Sequence, residues 1–376
     1  MNEIIMKIIK KGSSFLLVLS FAVSFAAGQQ LQQVPFTSDN WDFGDAQFTT
    51  ENYMGRESIR LESGRISASD VEFLDGTIEV DINFPQARFF PSVLFRMQDP
   101  QNTENFYIRP HQSGNPDATQ YTPVFHGVSG WQLYHGEGYS QAIELEPDVW
   151  HHLRINVLGD EADIYFDDMD TPFLKVTDLK REAEAGKIGV STGAPVHFAN
   201  FEYSPAKPKL VDRETTQMET PPGLITQWKV SNIVRDELYR DMPEINAQGL
   251  SWTSHQTEPS GTINLARYAQ QSEEMNTIVT RLDITAEETM RKPLVFGYSD
   301  FVWVYVNGLQ IYGGRNDFLS RDYRYLGTIG FFDSVFLPLN EGDNEVLFVV
   351  GENFGGWGLK AFMPDQQGIK IKGNEN

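Results

Sequence analysis

Apolar and polar residues alternate one by one through most of this chain, and that period predicts strands. In 76–84, reading GTIEVDINF, Ile78, Val80, Ile82 and Phe84 share one face. Glu79, Asp81 and Asn83 share the other, because successive side chains on a strand point to opposite sides. Strands are expected likewise at 93–97, 105–111, 150–157, 163–166 and 187–191. Clusters such as Asp99-Pro100-Gln101-Asn102 and Gly114-Asn115-Pro116-Asp117 mark the turns between them. A second set follows at 224–230, 276–283, 292–296, 301–306, 309–312, 334–337, 345–350 and 358–362. Asn307-Gly308, between VWVYV and LQIY, is the strongest hairpin signal. Helical periodicity is confined to one or two turns around 178–185. The expected fold is all-β, two β-sandwich (jelly-roll) domains in tandem.

The ends and the middle break the pattern. Residues 1–28 begin with Lys7, Lys10 and Lys11, continue with an apolar run over 15–27, and close on Ala26-Ala27-Gly28. That order is a signal peptide, so export is expected, to the periplasm or outside the cell. The first domain is then 29–204. Residues 205–223, PAKPKLVDRETTQMETPPG, carry four prolines without alternation and form the expected linker. The second domain is 224–376, expected to fold as an independent unit.

Composition narrows the partners. The chain has 376 residues, no cysteine and a net charge of −22. Disulfides, thiolate metal sites and a lipid-modified cysteine are excluded. So strong an acidic field disfavours nucleic acid and anionic membrane surfaces. The 26 Phe, 14 Tyr and 7 Trp suit both β-cores and sugar stacking.

Two resemblances are carried by particular segments. Around 36–204, GTIEVDINF, SVLFRMQDPQNTENFYIRP, DVWHHLRINVLGDEADIYFDD and GKIGVSTGAPVHFANFEY resemble a laminin-G or concanavalin A-like lectin/glucanase sandwich. Secreted proteins of the 3-keto-disaccharide hydrolase-like group have this layout. Around 224–371, FGYSDFVWVYVNGLQIYGG and LPLNEGDNEVLFVVGENFGGWGLKA resemble a galactose-binding-like jelly roll of the sort appended to β-galactosidases. The resemblance implies the folds and a carbohydrate context. It does not choose a ligand.

Several constellations are candidates for chemistry. Glu79 and Asp81 match the first two positions of the E-x-D-x-E strand of laminarinase-like glucanases, which implies nucleophile and helper. The third position is Asn83, which cannot act as the acid that a retaining hydrolase needs. The alternative is cross-strand ion pairing, for instance with Arg96 or Arg109. A second candidate is a polar face of Arg96, Tyr107, Arg109 and His111, set outward by alternation, with Glu79 and Asp81 on a third strand of the same sheet. A long loop after it adds Gln120, Tyr121, His126, Trp131 and Tyr134. Arginines and hydroxyls there can bind sugar hydroxyls or an acidic sugar, and Trp131 and Tyr134 can stack a ring. The alternative is packing of the loop onto the sheet.

In the second domain, Arg315, Asp317, Arg321 and Trp357 are candidates for a sugar site at one end of the sandwich, or else for loop pinning and core filling. Asp163, Asp167 and Asp168 are candidate ligands of a structural calcium ion, although they also suit turns. No other cofactor is implied, and no histidine spacing reads as a zinc site.

The expected function is recognition of an oligo- or polysaccharide through the first sandwich, without catalysis. A glycoside hydrolase or 3-keto-glycoside hydrolase/lyase, and a structural module of a surface complex, are the alternatives. Export makes a direct prediction: amino-terminal sequencing of the secreted protein should begin at or near Gln29, and a terminus retaining Lys10 would refute it.

Overall fold

The computed structural model describes residues 30–213, 220–238, 242–245, 247–321 and 326–374. The expected signal segment lies outside them. The chain is all-β. Helical structure among the described residues is limited to three 3-10 turns, Pro110–Gln112, Asp236–Leu238 and Leu265–Arg267. No helix among them is long and apolar enough to cross a membrane.

The amino-terminal strands form one hydrogen-bonded path folded into two layers. One layer runs Gln47–Tyr53, Arg56–Ala68, Val196–Ser204, Gly76–Asn83, His151–Leu158, Glu161–Phe166 and Leu174–Val176. The other runs Ser140–Gln141, Thr119–Phe125, Asn102–Ile108, Ser92–Asp99, Lys187–Thr192 and again Arg56–Ala68. The 13-residue strand Arg56–Ala68 serves both layers. Its first half pairs with Val196–Ser204 and its second with Lys187–Thr192. Gly64 lies where it changes layer, at φ 102°, and a Cβ there would sit 2.9 Å from the Ala46 Cα. Only glycine suits that bend. Ile78, Val80 and Ile82 from one layer meet Val93, Phe95 and Phe106 from the other in the core.

The carboxyl-terminal strands form a seven-stranded and a four-stranded sheet. Trp228, Phe296, Phe348 and Trp357 fill the space between them. Val306 pairs with Leu309 across Asn307-Gly308, both at positive φ (50° and 85°), as a tight hairpin turn requires.

Two expectations are corrected. Residues 178–185 are not helical. Their amides are used elsewhere: Lys180 N–H donates to the Tyr121 hydroxyl (2.7 Å), and Arg181 N–H to Glu104 Oε1 (3.1 Å). The supposed long loop after His111 contains a strand, Thr119–Phe125, paired with Asn102–Ile108. Every residue of that strand is buried, so it shows no amphipathic period.

The reason is the neighbouring sandwich, which covers this strand and the loop beyond it. Phe125 and Val128 belong to the core of the carboxyl-terminal sheets, and Leu133 and Tyr134 pack with Ile329. Arg181 and Arg267 approach the Phe125 ring, at 4.8 and 4.4 Å. Gln132 is fully buried. It donates to the Leu326 carbonyl (2.8 Å) and accepts from the Ser299 hydroxyl (2.9 Å). Its backbone bonds Gly355 and Ile329. The expected linker is also partly docked: Val211 N–H donates to Asp163 Oδ2 (2.7 Å) and Arg213 pairs with Asp163 (3.0 Å).

Two sandwiches so interlocked should melt together. Calorimetry of the whole chain should show one transition, and residues 224–376 alone should melt at lower temperature. Gln132→Ala removes both side-chain bonds across the junction and should cost about 1–3 kcal/mol. Two separate transitions, unchanged in that variant, would contradict this coupling.

Candidate functional site

A cavity of about 420 Å³ opens between the two sandwiches. Its first wall comes from Asn102–Ile108. Alternation turns Phe106 and Ile108 inward to the core and Asn105 and Tyr107 toward the cavity. Arg109 and His111 continue that side into the Pro110–Gln112 turn.

Arg109 is the best-fixed group. It is only 6% exposed. One Nη donates to the Asp117 carbonyl (2.7 Å) and lies 3.3 Å from the Asp117 carboxylate. The other donates to the Tyr107 hydroxyl (2.7 Å) and to Gln120 Oε1 (3.1 Å). The guanidinium carbon lies 4.9 Å from the Tyr107 ring centre and 5.8 Å from those of Phe90 and Trp131. Held so, the guanidinium keeps its orientation and loses little freedom when a ligand arrives.

The second wall is aromatic. Trp131 stands edge-on to Phe354 and Phe318 of the other sandwich, at 5.8 and 6.2 Å. Phe354 is 62% exposed, so its ring face is open to a ligand. Three buried polar atoms of cavity-lining residues lack a protein partner among the described residues: Asn105 Oδ1, His111 Nδ1 and Glu352 Oε2. Burial and the nearby Arg88 and Arg109 lower the His111 pKa, favouring the neutral ring. Burial, reinforced by Asp300, pushes the Glu352 carboxyl well above its usual range. Asp300 itself rises to about 6, chiefly through burial. A surface of this kind can stack an apolar ring face and satisfy hydroxyls around its edge.

Of the candidate residues, Tyr107, Arg109, His111 and Trp131 converge here. Gln120 lies behind them, accepting from Tyr107 (2.7 Å) and donating to the Trp131 carbonyl (2.8 Å). Arg96 does not join them. Its φ of 47° and a register shift after Phe95 break the alternation, and its side chain is buried against the Leu74 and Gly159 carbonyls and Asp75. Tyr121 is in the core, donating to Glu104 Oε2 (2.7 Å). His126 Nδ1 bonds the Ala266 carbonyl (2.8 Å), and Tyr134 donates to Glu258 Oε1 (2.5 Å). Both hold the sandwiches together instead of lining the cavity.

Glu79 and Asp81 belong to the opposite layer, not to the sheet of Arg109. Nor do they pair with Arg96 or Arg109. His152 bridges them, at 3.1 Å from Glu79 and 2.7 Å from Asp81. Arg154 also binds Glu79, and Arg56 and Asn200 bind Asp81. Hydrogen bonds to Asp81 and Glu79 raise the His152 pKa to about 9. Burial pushes the Glu79 carboxyl up, but the bonds from His152 and Arg154 outweigh it and hold the pKa below the usual value.

In the second sandwich, Arg315 pairs with Asp317 (2.8 Å) and Arg321 with Asp333. Trp357 is fully buried and donates to the Val350 carbonyl (3.0 Å). None of the four lines the cavity. Of the calcium candidates, Asp163 meets Arg213. Asp167 bonds His151 (2.7 Å), and Asp168 accepts the Asp170 N–H (2.9 Å). Among the described residues no three His, Asp or Glu side chains gather as a metal cage. Sequence reasoning passed over Phe90, Phe318 and Phe354. Only the Gly-rich setting of Phe354, in ENFGGWG, offered a signal, and Trp357 drew it instead.

No family model and no curated protein matches the chain. Among solved structures, it is similar to a carbohydrate-binding module, CBM66, from Bacillus subtilis, at 18% identity and a TM-score of 0.35, over 45% of this chain and 99% of that one. It is likewise similar to a β-glucanase of Bacillus licheniformis, at 12% identity and a TM-score of 0.33, over 48% and 98%. A third is a putative glycosyl hydrolase from Parabacteroides distasonis, at 12% identity and a TM-score of 0.34, over 46% and 98%.

Proposed function

We propose that this protein binds an oligo- or polysaccharide in the cleft between its two sandwiches, without cleaving it, after export from the cytoplasm. The observation that carries the reading is Arg109, locked among Tyr107, Gln120 and Asp117 at the wall of an aromatic cleft. Rings at Trp131 and Phe354 offer a stacking surface, and the unpartnered atoms of Asn105 and His111 await hydroxyls. In this reading the site is shared by both sandwiches, because Phe318 and Phe354 come from the second, whereas the sequence pointed to the first.

Binding is favoured over hydrolysis at the glucanase-like strand for a physical reason. Glu79 and Asp81 spend their oxygens on Arg154, Arg56, His152 and Asn200. A carboxylate so paired is a poor nucleophile, and Asn83 supplies no acid.

The test is a glycan array, followed by calorimetric titration of the glycans it retains. Phe354→Ala removes an exposed ring, so Tm should stay nearly unchanged while affinity falls about threefold to tenfold. Arg109→Ala should lower both, costing about 1–3 kcal/mol of binding. An array blank for the wild type, or full affinity in both variants, would refute the reading.

A further inference from the structure

Glu352 stands at the second-domain end of the cleft. It follows the strand Gly342–Gly351 directly, lines the cleft, and is 1% exposed. Its Oε1 accepts the Gly356 N–H at 3.0 Å. Its Oε2 has no partner among the described residues. A second buried carboxyl, Asp300, acts on it electrostatically.

The two carboxyls are unequal. Asp300 Oδ2 accepts the N–H groups of Asn353 (2.8 Å) and Phe354 (2.9 Å), and its other oxygen faces the Ser299 hydroxyl (3.3 Å). Those donors favour the charge on Asp300. Glu352, with one donor and a bare oxygen, is the better host for a proton. The other charged groups do not reverse this. Asp317, which adds negative charge near Asp300, is itself paired to Arg315. Gln132 and Ser299, packed at the same turn, are neutral. The remaining titratable groups of the cavity wall are Arg88, Tyr107, Arg109, His111 and Asp117; burial keeps the Tyr107 hydroxyl neutral, and Asp117 is held by Arg109.

We propose that Glu352 is a neutral carboxylic acid that donates its hydrogen to a hydroxyl or ring oxygen of an uncharged pyranoside bound in the cleft. This rests on the cleft being a sugar site and names the polar group that recognises the sugar at its second-domain end. The charge on Asp300 disfavours a ligand anion at that end, whereas a hydroxyl can accept from Glu352 without repulsion. The proton is shared in a hydrogen bond; no bond is made or broken.

The sign of the pH effect follows. Near neutral pH Glu352 is protonated in the folded chain and ionised in the unfolded one. Its contribution to stability is full below the ordinary carboxyl pKa and lost as pH rises through its raised value. Three measurements test the proposal on the full chain. Infrared difference spectra of wild type against Glu352→Gln, at about pH 7, should show the carbonyl band of a neutral acid. From about pH 6 to about pH 9, wild type should lose more Tm than Glu352→Gln. On the glycan array, wild-type signal should fall about tenfold or more over that range, since buried glutamates can titrate there. Glu352→Gln, which keeps a donor, should lose most of that pH dependence and bind better at the lower pH than Glu352→Ala.

Absence of the neutral-acid band overturns the proposal. So does a Glu352→Gln variant with the wild-type pH profile on an array that does bind glycans, and in that case the cleft reading survives. A blank array with the band present overturns the cleft reading, and the donor role with it.

Discussion

The side-chain amide of Gln120 is the joint on which the cleft depends. Its oxygen accepts from Tyr107 and Arg109, fixing the polar wall. Its nitrogen donates to the carbonyls of Trp131 and Tyr134, fixing the loop that carries the aromatic wall. That loop then enters the second sandwich through Gln132 and Leu133. One buried amide thus sets the relation between sheet, loop and neighbouring sandwich. Its four bonds use both oxygen lone pairs and both N–H groups, so nothing is left to offset a shift of any partner.

Charge is distributed with the same economy. The chain carries a large excess of acid, yet several cations are buried: Arg96 under the edge of one layer, Arg109 in the cleft, Lys180 between the sandwiches. Each of these meets carboxylates or carbonyls. The excess acid lies mostly at exposed positions, where water screens it. The Asp300 and Glu352 pair departs from this rule, since two carboxyls lie buried together at the cleft. Buried like charges are costly, and a proton on one of the two removes most of that cost.

The two outer faces of the first sandwich have opposite fates. Glu79, Asp81, His152 and Arg154 form a closed ion-pair network in which donors and acceptors satisfy one another. Among the described residues, one polar atom each of Asn105, His111 and Glu352 has no protein partner. Unmet buried groups are expensive in a core and useful in a site, because a ligand recovers the cost on binding.

The sequence by itself determined the all-β class, most strand positions and the Asn307-Gly308 hairpin, because alternation and turn chemistry are local. It also placed Tyr107, Arg109 and His111 on one side, by an alternation that holds to Ile108 and that the Pro110–Gln112 turn happens to continue. It misplaced Arg96 because a positive φ at that residue and a register shift beside it break the alternation. It read Thr119–Phe125 as loop because a strand buried on both faces has no polar period to detect. Tertiary structure alone decided that Tyr121, His126 and Tyr134 hold the fold, that Glu79 and Asp81 face away from Arg109, and that Phe354 completes the cleft. Those outcomes depend on pairings between residues far apart in the chain, and on the docking of one sandwich against the other. Periodicity within a segment carries no record of either.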